Sequence, residues 1–429
     1  MSFEIVEKSQ VNREITITVS GNEIRRAEGH MVESARRSMV LKGFRKGKVP
    51  ASVVRERAGA SIMEDARREC LQNTAREALS TLDKLLHVGE AEIVEAQTED
   101  GGFVARLHAE VEPTVEVKPY KDLTVKVADV KVTDEDVENA IQKRLERRAK
   151  VETVEGRDVV EDGDIVTCEL SAPNEAASKL CRAGERSITV GRGNINVDME
   201  KCLVGSKIGD SVQMTAKIGD EEPVVTAQIK EIKTRVLPEL NDAFAKETGD
   251  AETVEGLREF ERKNLLEEAE NARKNEIDAK LCDKLCEAMP IDIPEGYVRA
   301  RAIQAYRLQL EQWTGQQINE ELLARLAANM KDSEIVEYRK DYHVEVILNA
   351  IADAEKIEVS NEEIVEEATK WFGNASKAQI EKWLKTSNAS HFVGDQVKRD
   401  RALAIIRDSA HVESMTEEEI AAEKAQSKE

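Results

Sequence analysis

The sequence predicts a multidomain α+β chain, with a mixed N-terminal domain, a small β-rich middle domain and a helical C-terminal region. Three observations predict it. Residues 14–19, Glu-Ile-Thr-Ile-Thr-Val, alternate polar and apolar with the period of a half-buried strand, and helical pattern follows them. Four short apolar runs between residues 165 and 232 are punctuated by Gly191, Gly193, Gly205, Gly209 and Gly219. Between 237 and 410 the spacing becomes helical, as in Val344, Ile347, Leu348 and Ile351, or Leu322, Leu323, Leu326, Ala327 and Met330.

The elements follow in order. Ser20-Gly21-Asn22 gives a turn and a cap, and a helix is expected over residues 23–39. Residues 43–50 break it, and a second long helix is expected over 61–86. Residues 91–95 and 102–112 read as a β-hairpin around Asp100-Gly101-Gly102, which closes a first domain at 1–112. Pro113 and Pro119 open a linker, residues 113–150. Within it, 120–132 alternates like a strand, and Thr133-Asp134-Glu135-Asp136 resembles a capping box at the head of a helix running to about 150. The β-rich domain spans 151–235, with strands at 165–170, 187–190, 211–217 and 224–232, and contains no Phe, Tyr or Trp. The helical region spans 236–412, where Pro290 and Pro294 separate two helices. Residues 413–429 form an acidic, flexible tail.

Composition bounds the function. The 429 residues suffice for two to four domains, and 40% are hydrophobic. Only 3% are aromatic and 34% are charged, which suits long solvent-washed helices. A net charge of −22 excludes a surface that binds nucleic acid throughout, so any such contact needs a local basic patch. The first residues lack the pattern of a signal peptide, no apolar run is long enough to span a membrane, and a cytoplasmic location is expected. The six cysteines form no framework and read as reduced thiols. Cys282 and Cys286 share a helix face, but no further His or Cys lies near them in sequence. No metal or cofactor is expected.

The most informative segment is Gly43-Phe44-Arg45-Lys46-Gly47-Lys48-Val49-Pro50. Its glycines permit tight turns and its proline disfavours helix just before it. It offers three cations and one aromatic ring between two helices. Three readings are open on the residues alone: an ordinary charged connection, a phosphate-binding P-loop, or a basic contact patch. The P-loop needs four residues between its glycines and a Ser or Thr after the Lys; here three intervene and Val49 follows. Residues 21–57 carry ten Lys and Arg against four Glu, a cationic island that suits a local RNA or acidic-protein contact.

The run 43–50 resembles the ribosome-docking signature of bacterial trigger factors, Gly-Phe-Arg-x-Gly-Lys-x-Pro, at every fixed position. Glu161-Asp162-Gly163-Asp164 resembles the entry to that family's middle domain, and Leu237-Pro238-Glu239-Leu240 with Phe244 its exit. Ile293-Pro294 is similar to the family's turn in the helical part. The resemblance implies an N-terminal ribosome-binding domain, an FK506-binding-protein-like middle domain and a discontinuous helical body with arms, built from the linker and the C-terminal region. It implies an ATP-independent chaperone. Gly43, Phe44, Arg45, Lys46, Gly47, Lys48 and Pro50 would dock on protein and ribosomal RNA of the large subunit at the tunnel exit. A helical cradle would hold unfolded nascent chains, and the chain would pair as a homodimer away from the ribosome. Apolar residues expected to stay accessible for clients are Tyr306, Leu310, Trp313, Met330 and Phe372.

The middle domain departs from the family pattern. Where the family has Gly-x-Gly-x-x-Ile-Pro-Gly-Phe-Glu, this chain has Gly191-Arg192-Gly193-Asn194-Ile195-Asn196-Val197-Asp198-Met199-Glu200. The aromatic-rich flap before the last strand is replaced by Ile218-Gly219-Asp220-Glu221-Glu222-Pro223. An isomerase of this type lowers a barrier of about 18–20 kcal/mol with a dry aromatic pocket. Ile195, Val197, Met199 and Ile208 are what remains to line a shallow apolar dent. No catalytic residue is carried over. Weak or lost prolyl isomerase activity is expected, with an active isomerase as the alternative.

Overall fold

The computed structural model describes residues 2–42, 44–45, 47–154, 156–171, 184–191, 197–215, 224–372, 375–386, 389–416 and 419. The chain divides into two compact units, one of Met1–Val127 with Glu276–Glu429 and one of Ala128–Asn275.

In the first unit the N-terminal part comprises β1 (Ser2–Glu7), β2 (Asn12–Val19), α1 (Gly21–Ser38), α2 (Ala51–Leu79), β3 (Leu85–Val88), β4 (Glu92–Glu95) and β5 (Phe103–Val111). The strands form an antiparallel sheet in the order β1-β2-β5-β3, with β4 also paired to β5. Alternation puts Ile15, Ile17 and Val19 of β2 and Phe103, Ala105, Leu107 and Ala109 of β5 on one face. There they bury against Ile24 of α1 and Ala66, Cys70 and Ala78 of α2. The β4–β5 turn lies against the start of α1. The Asp100 carboxylate accepts from the Gly21 N–H at 3.0 Å and the Gly102 N–H at 3.1 Å. A Cβ at Gly21 would stand 2.1 Å from the Asp100 carbonyl oxygen, so the approach requires glycine. The linker then supplies β6 (Thr124–Val127).

The second unit contains α3 (Asp134–Arg147), β7 (Lys150–Thr153), β8 (Ile165–Ser171), β9 (Gly184–Thr189), α4 (Val197–Lys201), β10 (Ser211–Thr215), β11 (Val224–Val236), α5 (Asp242–Thr248) and the first part of α6 (Val254–Ala288). Thr133 and Asp136 form the expected capping box, with the Thr133 N–H donating to the Asp136 carboxylate at 2.9 Å and the Asp136 N–H to the Thr133 hydroxyl at 3.2 Å. Val137, Ile141 and Leu145 of α3 bury against Phe244 and Leu257. The strands form an antiparallel sheet ordered β10-β11-β8-β9, with β7 also on β11.

The C-terminal part of the first unit continues α6 and adds α7 (Glu295–Thr314), α8 (Glu320–Asn329), α9 (Asp332–Ala354), α10 (Asn361–Phe372), α11 (Lys377–Thr386), α12 (Ala389–Ser409) and β12 (His411–Ser414). β12 pairs in parallel with β6. Val125 and Val127 of β6 are buried with Leu281 of α6, Ile347 and Ile351 of α9 and Ile406 of α12, so this helical body is discontinuous in sequence. The α+β fold class is as expected and the body is discontinuous. Of the linker, however, only the part up to Val127 joins it, and residues 128–150 and 236–275 group with the middle domain instead.

Three local expectations are corrected and one unassigned strand is added. α2 starts at Ala51, ten residues before the expected 61, because Pro50 acts as its N-cap with extended backbone (φ −62°, ψ 142°). Its C-terminal end is Leu79, and residues 85–88 are strand β3 rather than helix. Strand β1, which the sequence reading did not assign, pairs with β2 at the sheet edge. The segment expected to be flexible from residue 413 begins as strand: Glu413 and Ser414 pair with Lys126 and Val127, the Met415 N–H donates to the Val127 carbonyl at 2.9 Å, and Glu419 pairs with Lys126 at 2.7 Å. Its acidity, read as a mark of disorder, is partly matched by Lys126.

Candidate functional site

The loop after α1 is built as two successive turns. The Phe44 N–H donates to the Leu41 carbonyl at 3.0 Å and the Lys48 N–H to the Arg45 carbonyl at 2.9 Å. Gly47 takes φ +77°, a conformation a β-carbon disfavours. Val49 anchors the end of the loop: it is 1% exposed and packs with Val32, Val54 and Ile62, beneath Met39 and Leu41. Pro50 then starts α2, its carbonyl accepting from the Val53 N–H at 3.1 Å.

A buried root thus carries an exposed tip. Phe44 is 41% exposed, and Arg45 and Lys48 are exposed. Of the neighbouring cations, Arg36 and Arg37 are tied to Glu33 at 2.8 and 3.6 Å, and Arg55 to Glu28 at 2.8 Å. Among the described residues no carboxylate neutralises Arg45 or Lys48. Gly43 and Lys46 lie outside the described residues.

A second surface lies on α7 and α8. Gly315 ends α7 in the left-handed conformation (φ +67°), and its N–H donates to the Glu311 carbonyl at 2.9 Å. Arg307 spans the turn, 3.1 Å from both Glu311 and Glu320. The Ile318 N–H, 3.0 Å from its carboxylate, and then Arg307 hold Glu311 below the usual carboxylate range. Asn319 caps α8 by accepting from the Leu322 N–H at 2.8 Å.

On this fixed hairpin, Tyr306, Leu310 and Trp313 border a cavity of about 510 Å³. Tyr306 also borders a second cavity of about 320 Å³ with Met330, Leu326 and Tyr338. Trp313 is 88% exposed and Leu308 66%. The structure therefore brings four of the five expected client residues together around Tyr306. Phe372 stands elsewhere, on α10, edge-on to Trp383 with centroids 4.8 Å apart.

Sequence reasoning missed three exposed residues. Leu308 is exposed on α7 but two residues from both Tyr306 and Leu310, on another side of the helix, and Trp371 and Phe392 pair edge-on at 6.2 Å beside Phe372. The signal was present: in a chain with three Trp and seven Phe, Trp371, Phe372, Trp383 and Phe392 fall within 22 residues.

The middle sheet offers no comparable surface in its described part. Its core is Val166, Leu170, Ile188, Leu203, Met214, Val225, Ile229 and Ile232, packed with Met199. Met199 is fully buried, so it fills the core rather than lining an open dent. Ile208 is 45% exposed, in the turn before β10. Ile195 and the Val197 side chain lie outside the described residues. Asp164 is 1% exposed and braces the segment before β8: it pairs with Arg157 at 2.7 Å and accepts from the Glu161 N–H at 2.8 Å. Among the described residues no cluster of three or more His, Cys, Asp or Glu could hold a metal, and no helix is long and apolar enough to cross a membrane. Burial pushes the Cys282 and Cys286 thiols up to about 11, as for inert packed cysteines.

Two family profiles match the chain. One is described as bacterial trigger factor protein, over residues 1–144, and the other as its C-terminus, over residues 253–408. The trigger factor of Bacillus cereus (strain Q1) is 30% identical over 378 residues, covering 83% of this chain and 87% of the relative. That of Clostridium tetani is 27% identical over 436 residues, covering 96% of this chain and all of the relative. A solved structure from work on promiscuous substrate recognition by the trigger factor chaperone aligns over 95% of this chain and 99% of its own, at 22% identity and a TM-score of 0.46. These relatives place the chain among the protein-folding chaperones. It belongs to the bacterial trigger factor family.

Proposed function

We propose that this chain docks at the exit of the ribosomal tunnel through residues 43–50 and shields emerging polypeptide on its C-terminal helices, without ATP. The observation that carries the proposal is the form of the loop. Phe44, Arg45 and Lys48 face solvent from a segment whose only buried side chain among the described residues is Val49. A ring beside unpaired cations suits a surface with an apolar crevice and phosphates, which is what ribosomal protein and RNA present together. Nascent chains would lie on the surface of Tyr306, Leu310, Trp313 and Met330, where apolar groups of varied shape adapt to many sequences. The middle domain serves as a spacer or auxiliary surface with little isomerase activity.

The test is co-sedimentation with ribosomes. Replacing Phe44, Arg45 and Lys46 by Ala abolishes pelleting while the circular dichroism and melting curve stay unchanged. With about three cations on RNA phosphates, log K against log salt has a slope of roughly −2 to −3. Undiminished pelleting of the triple variant would remove the loop from the mechanism.

A further inference from the structure

Glu110 lies on β5, in the alternating series whose odd-numbered residues fill the N-terminal core. Its side chain therefore leaves the opposite face of the sheet. There it meets the first turn of α7. One carboxylate oxygen accepts from the Gly296 N–H at 2.9 Å and the other from the Tyr297 N–H at 2.7 Å. Two free N–H groups at the positive end of a 20-residue helix are satisfied by an anion from another part of the chain. The fit is close. A Cβ on Gly296 would stand 2.6 Å from the His87 ring and 3.0 Å from the Glu110 carboxylate.

The neighbouring contacts join the same two parts. Leu86 of β3 packs against the cluster that contains Val298, Ala302 and Tyr342, and the Gln10 N–H reaches Asp292 at 3.3 Å. Beyond the cap, Tyr297 stacks edge-on with Tyr342 at 5.5 Å, and Arg301 pairs with Glu345 at 2.6 Å. The helix start is thus clamped on both sides.

We propose that Glu110 is a positioning residue, whose carboxylate fixes the start of α7 on the N-terminal sheet and so aims the Tyr306, Leu310 and Trp313 surface relative to the docking loop. This rests on the docking and client-holding reading given above. Glu110 touches neither ribosome nor client. Its removal should uncouple two functions that each survive alone.

The experiment compares the full-length protein with its Glu110→Ala, Glu110→Gln and Gly296→Ala variants in four measurements. Amide exchange at residues 296 and 297 reads the cap itself; it should quicken about tenfold in Glu110→Ala and less in Glu110→Gln, which keeps one acceptor oxygen. Ribosome pelleting and affinity for a reduced, carboxymethylated protein in solution should each stay within about twofold. Photo-crosslinking from a stalled nascent chain to α7 should fall about fivefold or more in Glu110→Ala and Gly296→Ala, with Glu110→Gln between. Unchanged crosslinking despite faster exchange would overturn the proposal, as would equal loss in all the functional assays, which marks a merely structural residue. Failure of the unmodified protein to pellet would refute the docking reading instead, and unchanged amide exchange would still refute the cap.

Discussion

The two five-stranded antiparallel sheets of this molecule make an instructive pair. Both bury a largely aliphatic core, and both are punctuated by glycine. The N-terminal sheet covers one face with two long helices and lets the connection between them stand out, with Val49 inside and Phe44, Arg45 and Lys48 outside. The middle sheet, in its described part, turns most of its apolar residues inward and leaves only Val151 and Val236 exposed, on neighbouring strands at one end. Met199, where the family pattern has an aromatic ring in a pocket, is fully buried. A functional surface needs side chains held rigidly but left unsatisfied, and the described residues offer that in the first sheet and not in the second.

The comparison can be broken in several ways. The largest effect belongs to the loop tip, where the triple alanine change should remove the proposed ribosome binding. Next is catalysis. In a protease-coupled assay on an X-Pro peptide, the chain should fall orders of magnitude below an aromatic-lined isomerase of the same fold, since each 1.4 kcal/mol of lost preorganisation is about tenfold. Comparable rates would show that a working pocket exists. The loop root gives a third effect. Val49→Asp should cost about 3 kcal/mol in urea unfolding by burying an unpaired carboxylate, and Val49→Ala about 1–2 kcal/mol. A Val49→Asp variant as stable as its parent would mean that the loop is not anchored there.

Smaller effects concern the helices. Trp313→Ala combined with Tyr306→Ala should weaken binding of an unfolded protein about tenfold, because large aromatics dominate such contacts. At its exposure Trp313 should contribute no more than about 0.5 kcal/mol to folding. Loss of stability without loss of affinity would show that these rings serve packing. The smallest effect is pH-dependent. The Ser360 N–H at 2.8 Å, then Arg401 and the Ser360 hydroxyl, draw the Glu363 carboxyl down to about 2. A carboxyl depressed on folding stabilises above its unfolded value, near 4.5, and loses that contribution as pH falls through about 2. The melting temperature of Glu363→Gln should therefore lie below the parent's at pH 7 and converge with it in that window. A constant gap would contradict the assignment.

Much of this was legible in the sequence because local rules and tertiary context agree. The β4–β5 hairpin, the Thr133 capping box and the helix break at Pro290 and Pro294 each rest on turn or cap chemistry written within a few residues. Strand pairing at long range was not legible. β12 follows a helix by one residue and carries four exposed side chains, yet it finds β6 almost 300 residues earlier. At the site, the loop residues could be read from their types and order. The gathering of Leu310, Trp313 and Met330 around Tyr306 could not, since it depends on how α8 folds back across α7. Glu110 gave no signal, because a carboxylate on the outer face of a strand looks like any solvated one.

The central contrast is tested most directly by pelleting two variants with ribosomes side by side, the triple loop variant and one lacking residues 151–235. The excision is geometrically mild: Lys150 and Val236 are register partners in neighbouring strands, so a short turn can rejoin them. The account predicts that the loop variant stays in the supernatant while the excised chain pellets as the parent does and still suppresses aggregation of an unfolded protein. Pelleting of the loop variant together with loss of binding in the excised chain would contradict it.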